Sequence, residues 1–156
     1  MQIEEEMLAE TRERADIEST FGLGSDAPVL LQKHGSSFRL VMGDTLIAQG
    51  AQSDHLLFLV DGRLRATVID RNKVHRVVSR FLPGAIVGEI AFYAGIDRPA
   101  TITAETDATV VRMDAASLAL MEAEDPAAAA RFHRTLATIL ARRLMTTTRL
   151  LNDAER

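Results

Sequence analysis

The sequence predicts one mainly β domain flanked by helices, and three observations lead to this fold class. Short segments rich in β-branched residues follow one another from Phe38 onward, separated by Gly, Asp and Asn, a texture typical of an all-β sandwich or barrel. The segments before and after this region repeat apolar residues at helical spacing. The chain has 156 residues and 47% of them are apolar, which is enough for the core of a single domain.

Residues 1–36 are predicted to form an N-terminal helical connector. Sparse apolar residues recur there among many charges, at Ile3, Met7, Leu8, Ile17 and Phe21. This spacing predicts a solvent-exposed, weakly amphipathic helix whose narrow apolar face packs against another part of the protein. After a glycine-containing break at 22–26, a short second helix is expected over 27–33.

Residues 37–113 are predicted to form a β-roll. The expected strands are Thr45–Ala48, Leu56–Val60, Arg63–Ile69, Val74–Leu82 and Thr101–Met113. Asp61-Gly62 predicts a hairpin turn between the second and third of these strands, because such turns need positive φ. Leu64, Ala66 and Val68 alternate with polar residues, so one face of that strand is expected to be buried.

Residues 114–156 are predicted to form a pair of helices. Asp114 is placed to cap a helix that runs to about Glu124, and Asp125-Pro126 predicts a new N-cap and first helical residue. The second helix is expected to present an apolar stripe made of Phe132, Leu136, Leu140, Leu144 and Leu151. This stripe is compatible with a core contact, a homodimer seam or a lid over a ligand, and the sequence does not separate the three.

Charge and composition exclude several classes of function. The net charge of −4 provides no broad positive field, so no nucleic-acid partner is expected. The absence of cysteine excludes disulfides, thiolate zinc sites and a cysteine nucleophile, and it agrees with a cytoplasmic location. The apolar runs are too short to span a bilayer, and the acidic Glu4-Glu5-Glu6 is unlike a secretory signal.

No catalytic or metal-binding motif accompanies this composition. The four histidines, His34, His55, His75 and His133, lie on different predicted elements without ligand spacing. Arg142-Arg143-Leu144-Met145-Thr146 resembles a basophilic kinase site, although arginines near a helix C-terminus are more often partners of the helix dipole. We therefore expect neither an enzyme nor a resident metal or cofactor.

One segment has the features of a phosphate site. Gly88 permits an unusual backbone turn, and residues 89–93 are predicted to form a short helical turn whose free N–H groups, near Ile90 and Ala91, point at an anion. Arg98 follows ten residues after Gly88, where its planar guanidinium can bind two phosphate oxygens together. A charge-assisted hydrogen bond contributes roughly 1.5–3 kcal/mol, more than a helix terminus does, so Arg98 is expected to dominate phosphate affinity.

Glu89 limits the chemical class of ligand that this site can bind. A carboxylate beside a phosphate site repels a bare anion, so its presence indicates a ligand that also offers a hydroxyl donor, as a ribose 2′-OH does. This residue favours a nucleotide over inorganic phosphate or sulfate.

The segment 84–101 resembles the phosphate-binding cassette of cyclic-nucleotide-binding domains, in which Gly-Glu-aliphatic-Ala opens and Arg-small-Ala-Thr closes the loop. Here the opening is Gly88-Glu89-Ile90-Ala91 and the closing is Arg98-Pro99-Ala100-Thr101. Residues 43–50 are similar to the family's early strand and glycine turn, and residues 57–64 to its central hairpin. The ten-residue spacing agrees with the regulatory subunits of cAMP-dependent kinase.

The resemblance implies a double-stranded β-helix, or jelly-roll, with an N-terminal helix and a C-terminal helix pair. It also implies that Glu89 accepts from the ribose 2′-OH, that Ile90 and Ala91 donate backbone N–H groups, and that Arg98 holds the cyclic phosphate. Residues 99–101 complete the implied site.

Pro99 departs from the family's pattern. Most members have Ser, Thr or Ala after the arginine, whereas proline has no backbone N–H and no hydroxyl. The site thus loses a phosphate donor worth roughly 0.5–1.5 kcal/mol. The missing hydroxyl also removes a contact that helps the family hold cGMP, so cAMP is the expected ligand.

A narrower resemblance concerns the ends of the chain. Residues 124–151 are similar to nucleotide-binding domains fused behind the STAS domain of bacterial SulP-type anion permeases, and residues 3–8 resemble the connector that follows STAS. The resemblance implies that STAS and membrane domains of an anion transporter are partners.

Two functional hypotheses of different classes follow. The first is a regulatory sensor domain that binds a cyclic nucleotide and moves its long C-terminal helix in response. The second is a cyclic-nucleotide-binding fold that has lost its ligand and serves as a structural or protein-interaction module.

Overall fold

The computed structural model describes residues 33–154 of the chain. In chain order it contains strands β1 Ser36–Leu40, β2 Thr45–Ile47, β3 His55–Asp61, β4 Leu64–Ile69, β5 His75–Phe81 and β6 Ile86–Val87, helix α1 Glu89–Ala94, strands β7 Thr101–Ala104 and β8 Ala108–Asp114, and helices α2 Ala115–Glu124 and α3 Pro126–Ala154. The predicted helical connector before residue 33 lies outside the described residues. Lys33 and His34 are helical.

The strands form two antiparallel four-stranded sheets. The first sheet has the order β1-β8-β3-β6 and the second has the order β2-β7-β4-β5. Consecutive strands thus alternate repeatedly between the sheets, as in a jelly-roll. The prediction of a mainly β jelly-roll with a C-terminal helix pair is confirmed.

Strand β3 lies in the middle layer of the molecule and is buried on both faces. Leu56 and Phe58 face a core shared with α2 and α3. Leu57 and Leu59 face a second core enclosed between the two sheets. Because successive side chains of a strand point to opposite faces, one strand can belong to both cores, and the layers are helices, first sheet and second sheet.

The turn at Asp61-Gly62 is not the hairpin that the sequence predicted. Gly62 has a φ of 87°, so the expected positive φ is present, but β3 and β4 belong to different sheets. A Cβ at Gly62 would lie 2.3 Å from the main-chain oxygen of Asp107. The glycine is therefore needed for a close approach to the β7–β8 turn, where the chain crosses from one sheet to the other.

Four of the expected strands lie within one residue of β2 to β5 at each end, but the expected strand Thr101–Met113 is two strands. The turn at 105–107 separates them, and it is held by Arg63. The main-chain oxygen of Arg63 accepts from Glu105 N at 2.9 Å, and its N–H donates to Thr106 Oγ1 at 3.0 Å. These contacts come from a distant part of the chain, so local propensity did not reveal the break.

Two strands, β1 and β6, were not predicted. Only one of the five residues of β1 is even partly buried, so it lacks the apolar alternation that marks a strand. Strand β6 has two residues and is defined by its pairing with Leu57 and Phe58. Neither strand can therefore be predicted from its own local sequence.

The caps of the C-terminal helices are those that the sequence predicted. Asp114 Oδ1 accepts from Ser117 N at 2.8 Å at the start of α2, and this bond lowers the pKa of the Asp114 carboxyl. Asp125 Oδ1 accepts from Ala128 N at 3.1 Å at the start of α3. Each carboxylate satisfies an N–H group that has no partner within its helix.

The buried stripe of α3 differs from the predicted one. Of the predicted stripe, Phe132 and Leu136 are buried and Leu140 is partly buried, whereas Leu144 and Leu151 are 69% and 63% exposed; the next buried residue after Leu136 is Ile139. Steps of four residues drift about 40° around a helix with 3.6 residues per turn, whereas alternating steps of four and three stay on one face. The core-facing stripe therefore continues from Ile139 to Arg143. None of the helices within residues 33–154 has the length and apolar character that a bilayer crossing requires.

Candidate functional site

The segment between β6 and β7 forms a short helix between two glycines. Gly88 precedes α1 with a φ of 81°, and Gly95 ends it with a φ of 67°. A Cβ at Gly88 would lie 2.5 Å from Nη1 of Arg98. Glycine at 88 thus provides both the left-handed backbone and the space that the arginine occupies.

Glu89, the first residue of α1, is buried. It is 5% exposed, and its Oε1 lies 2.6 Å from Nη1 of Arg143 on α3. A buried carboxylate needs such a partner, because desolvation of an unpaired charge is costly. The contact joins the start of α1 to the C-terminal helix, 54 residues further along the chain.

Arg98 is buried beside the same turn. It is 3% exposed, and its Nη1 donates to the main-chain oxygen of Gly88 at 2.7 Å while Nη2 donates to that of His55. Burial lowers the pKa of the guanidinium, and the carboxylates of Asp54 and Glu89 oppose this shift. A guanidinium has five N–H donors, so three remain beyond these two bonds.

The backbone of Arg98 is held by the glycine turn after β2. Arg98 N donates to Ala51 O at 2.8 Å, and its carbonyl accepts from Gly50 N at 2.8 Å. Thr101 Oγ1 accepts from Gln49 N at 3.0 Å. The glycine turn at the end of residues 43–50 therefore holds the backbone of Arg98 in place, which links this segment to the cassette.

The other predicted site residues differ from one another in their solvent exposure. Ala91 is 1% exposed, whereas Ile90 is 55% exposed. Pro99 is exposed, and Ala100 and Thr101 are partly buried. The structure brings Gly88, Glu89 and Arg98 together, while the side chain of Ile90 points away from the core.

Within residues 33–154, Glu89 and Arg98 are the two charged side chains that are buried. Glu89 lies 2.6 Å from Arg143, whereas Arg98 donates to the main-chain carbonyls of Gly88 and His55. Buried charges gathered beside one backbone turn mark this place as a candidate ligand site.

His55 and its neighbours lie next to Arg98. His55 Nδ1 lies 2.6 Å from Asp54 Oδ1, and Arg112 Nη2 lies 3.8 Å from Asp54 Oδ2. Burial lowers the pKa of His55, the hydrogen bond to Asp54 opposes that shift, and the cations Arg112 and Arg98 add to it. The neutral imidazole is thus the form that suits this place beside two guanidinium groups. Within residues 33–154, no three acidic or histidine side chains gather as a metal site requires.

Sequence reasoning missed the contacts that α3 makes with α1. Besides Arg143, His133 Nδ1 is hydrogen-bonded to the Tyr93 hydroxyl on α1 at 2.9 Å. His133 Nε2 also lies 3.4 Å from Glu122 Oε1 on α2. Burial raises the pKa of Tyr93, and the carboxylates of Glu122 and Glu89 add to it. The available signal was the alternating four-and-three spacing, which places Arg143 on the buried stripe.

A family comparison matches this site. Residues 38–125, more than half of the chain, match the model of the cyclic nucleotide-binding domain. A sequence search among curated proteins found no match.

Solved structures share the fold. A cyclic nucleotide-binding domain from Methylobacillus flagellatus superimposes with a TM-score of 0.72 at 21% identity, over 79% of this chain and 70% of that one. The N-terminal domain of a transcriptional regulator from Streptomyces coelicolor gives 0.68 at 22% identity, over 86% and 92%. The catabolite activator protein of Thermus thermophilus gives 0.73 at 20% identity, over 88% of this chain and 62% of that one. These structures show the shared fold, and the match of the family model to more than half of the chain shows that the chain belongs to the cyclic nucleotide-binding domain family.

Proposed function

We propose that this domain is a sensor whose ligand is a cyclic nucleotide, held by Arg98 at the phosphate and by Glu89 at the ribose. One observation carries the proposal: the two buried charges of the described chain converge on one turn. A cyclic nucleotide offers both groups that these charges would recognise, an anionic phosphate and a 2′-OH donor. Family membership supports a regulatory role rather than a catalytic one.

Each site residue has a separate role in this proposal. Three N–H donors of Arg98 bind phosphate oxygens, while its two other bonds fix the guanidinium in place. Glu89 accepts from the 2′-OH, and the N–H groups of Ile90 and Ala91 in the first turn of α1 add donors that have no partner within the helix. Gly88 provides the space for the arginine.

Pro99 favours cAMP over cGMP. It offers neither an N–H nor a hydroxyl to the ligand, and it is exposed two residues before β7. Ala100 and Thr101 follow it, and the Thr101 hydroxyl accepts from Gln49 N while its own O–H can still donate. The expected preference is moderate, because a single lost hydrogen bond is worth roughly 0.5–1.5 kcal/mol.

The response of the domain to nucleotide is a movement of α3. This helix contacts the cassette helix α1 at both of its ends, through Arg143 on Glu89 and His133 on Tyr93. A ligand can shift such a helix only as far as its affinities for the two helix positions differ. The contact of Arg143 with Glu89 supplies this difference in affinity, because the ligand would bind the same carboxylate.

Isothermal titration calorimetry with cAMP and cGMP tests the proposal on wild-type protein, on Arg98→Ala and on Arg71→Ala. Arg71 is an exposed residue of the β4–β5 turn, so the last variant removes an equal charge away from the site. We expect Arg98→Ala to weaken cAMP binding about tenfold to a hundredfold and Arg71→Ala to leave it unchanged. Unchanged affinity in Arg98→Ala would exclude the proposed phosphate contact.

The alternative is a structural or protein-interaction module that keeps the fold without a ligand. Pro99 and the near-complete burial of Arg98 favour it. Absence of binding heat from folded wild-type protein at millimolar nucleotide would establish this alternative over the sensor.

A finer proposal concerns the setting of the domain. The resemblance of its C-terminal helices to the domains that follow STAS in SulP-type permeases supports a role in regulating an anion transporter. An in-frame STAS domain upstream of this sequence in the genome would support it, and an unrelated upstream frame would remove it.

A further inference from the structure

Arg143 takes a place that an apolar residue would normally fill. On α3 the core-facing stripe runs through Phe132, Leu136 and Ile139, which are 1–3% exposed. The next position on this face is Arg143, and its side chain is 21% exposed. A charged residue that continues a buried stripe needs a specific partner, since apolar surroundings penalise an unpaired charge.

That partner is the carboxylate that the proposed function assigns to the ribose. Arg143 Nη1 lies 2.6 Å from Glu89 Oε1, and its Nη2 lies 3.5 Å from the carbonyl of Ile86. The Glu89 side chain is 6% exposed with α3 in this position. The C-terminal helix therefore covers the carboxylate, and the arginine forms a charge-assisted bond where a 2′-OH would have to donate.

We propose that Arg143 is an internal competitor of the nucleotide: it closes the site by pairing with Glu89, and ribose binding requires that it leave. This inference rests on the proposed function, since Glu89 must be the ribose receptor. The site is then in equilibrium between a closed form, with Arg143 on Glu89, and an open form that binds nucleotide.

The packing of α3 allows such an opening without loss of the fold. Its first half is fixed by Phe132, Leu136 and Ile139. Beyond Ile139 the described side chains are exposed or only partly buried, and Leu144 and Met145 are 69% and 56% exposed. The ion pair of Arg143 with Glu89 joins this half to the cassette, and its release would loosen residues 140–154 while residues 126–139 stay packed.

The closed form lowers the apparent affinity in proportion to its population. When only a fraction of the molecules is open, the apparent dissociation constant is the intrinsic constant divided by that fraction. Removal of Arg143 should therefore tighten cAMP binding by at least about tenfold if the closed form holds 90% of the molecules or more. A residue that merely stabilised the fold would have the opposite or no effect on affinity.

The test compares cAMP affinity by calorimetry in wild type, Arg143→Ala, Arg143→Lys and Arg149→Ala. Arg149 is exposed on the same helix, so its variant matches the charge change without touching Glu89. Arg143→Lys keeps the charge and protects against misfolding from an unpaired Glu89, while its shorter, unforked side chain should give an intermediate affinity. Amide hydrogen exchange of the nucleotide-free proteins over residues 140–154 provides a readout independent of any ligand.

We expect Arg143→Ala to bind cAMP at least about tenfold more tightly and to exchange faster over residues 140–154, while Arg149→Ala matches wild type. Equal or weaker cAMP binding in Arg143→Ala, with binding present in wild type, would overturn the competitor and leave the sensor function standing. No binding in any folded variant would instead overturn the sensor function, and the competitor with it. Binding by Arg143→Ala alone would support the competitor in its strongest form.

Discussion

At the scale of single residues, the site depends on a buried arginine whose place is made by a glycine. Arg98 carries its charge into a position that is 3% exposed, and main-chain carbonyls rather than carboxylates receive its nearest hydrogen bonds. Backbone geometry therefore matters more here than a salt bridge. Gly88 contributes one of the two carbonyls, and its missing side chain gives the guanidinium its space.

Gly88→Ala should displace Arg98 and weaken both folding and cAMP binding. The left-handed φ of 81° costs an L-residue about 1–2 kcal/mol, and the added Cβ would lie 2.5 Å from Nη1 of Arg98. Urea unfolding and calorimetry measure the two effects. Gly43→Ala is the matched control, because Gly43 has a φ of 94° and no atom within 4 Å of the added Cβ. Equal affinities in the two variants would contradict the steric argument.

His55 should make the domain less stable in mild acid. Burial lowers its pKa in the folded state, so the unfolded chain takes up a proton first as the pH falls below about 6.5. The stabilisation from the neutral imidazole is complete above that pH and is lost as the pH falls through the folded pKa. Asp54, whose pKa is lowered by its hydrogen bond to His55, remains ionised in this window.

The measurement is the free energy of unfolding between pH 5 and 8 for wild type and for His55→Gln. The variant keeps the main-chain carbonyl of residue 55, which accepts a hydrogen bond from Arg98. Wild type should lose stability relative to His55→Gln only on the acid side of this range, and parallel profiles across the range would show that His55 titrates as it does in the unfolded chain.

At the scale of elements, the sequence was informative wherever a local rule governs the structure. The caps at Asp114 and Asp125 were predicted correctly because a capping side chain bonds to its own helix. The cassette residues Glu89 and Arg98 were also identified from spacing, and the structure places both beside Gly88. Their roles in binding remain predictions.

Three of the failures involve partners far away in the chain. Asp61-Gly62 has the sequence of a hairpin turn, but the two strands that it joins pair with different neighbours. The break between β7 and β8 depends on bonds to Arg63, more than 40 residues away. The ion pair of Arg143 with Glu89 spans 54 residues. Local pattern fixes which residues are strand-like or helical, whereas pairing between elements decides which of them meet.

Alanine substitution of two leucines tests which face of α3 packs against the rest of the domain. Leu136→Ala should lower the free energy of unfolding by about 2–5 kcal/mol, because Leu136 is 2% exposed in the core. Leu144→Ala should change it by less than about 0.5 kcal/mol, because Leu144 is 69% exposed. Urea unfolding followed by circular dichroism measures both. A large loss in Leu144→Ala would restore the stripe that simple four-residue spacing predicted.

At the scale of the whole molecule, the two cores share their central strands. Strand β3 gives Leu56 and Phe58 to the helix side and Leu57 and Leu59 to the interior of the roll. Strand β6, which leads directly into α1, does the same with Ile86 and Val87. The cassette thus begins at a point where both cores meet, so loosening of either core should also loosen the turn at Gly88.

This sharing predicts that the described part of the domain unfolds as one unit. Leu59 is fully buried inside the roll, away from the helices, whereas Tyr93 contacts α3 through His133. Tyr93 is the only tyrosine and the chain has no tryptophan, so tyrosine emission reports on the α1–α3 contact alone. Leu59→Ala should lower the stability by about 2–5 kcal/mol and should shift the urea transition seen by tyrosine emission as far as that seen by far-UV circular dichroism.

Val60→Ala is the neighbouring control for this experiment, because Val60 is 47% exposed and its truncation should move neither curve by more than about 0.5 kcal/mol. If the emission transition stayed in place while the circular dichroism transition moved, the helices and the cassette would form a unit that is stable without the roll. In that case the ion pair between Arg143 and Glu89 would respond to nucleotide without any change in the sheets. Coincident transitions mean instead that the cassette, α3 and the roll unfold together, joined through β3 and β6.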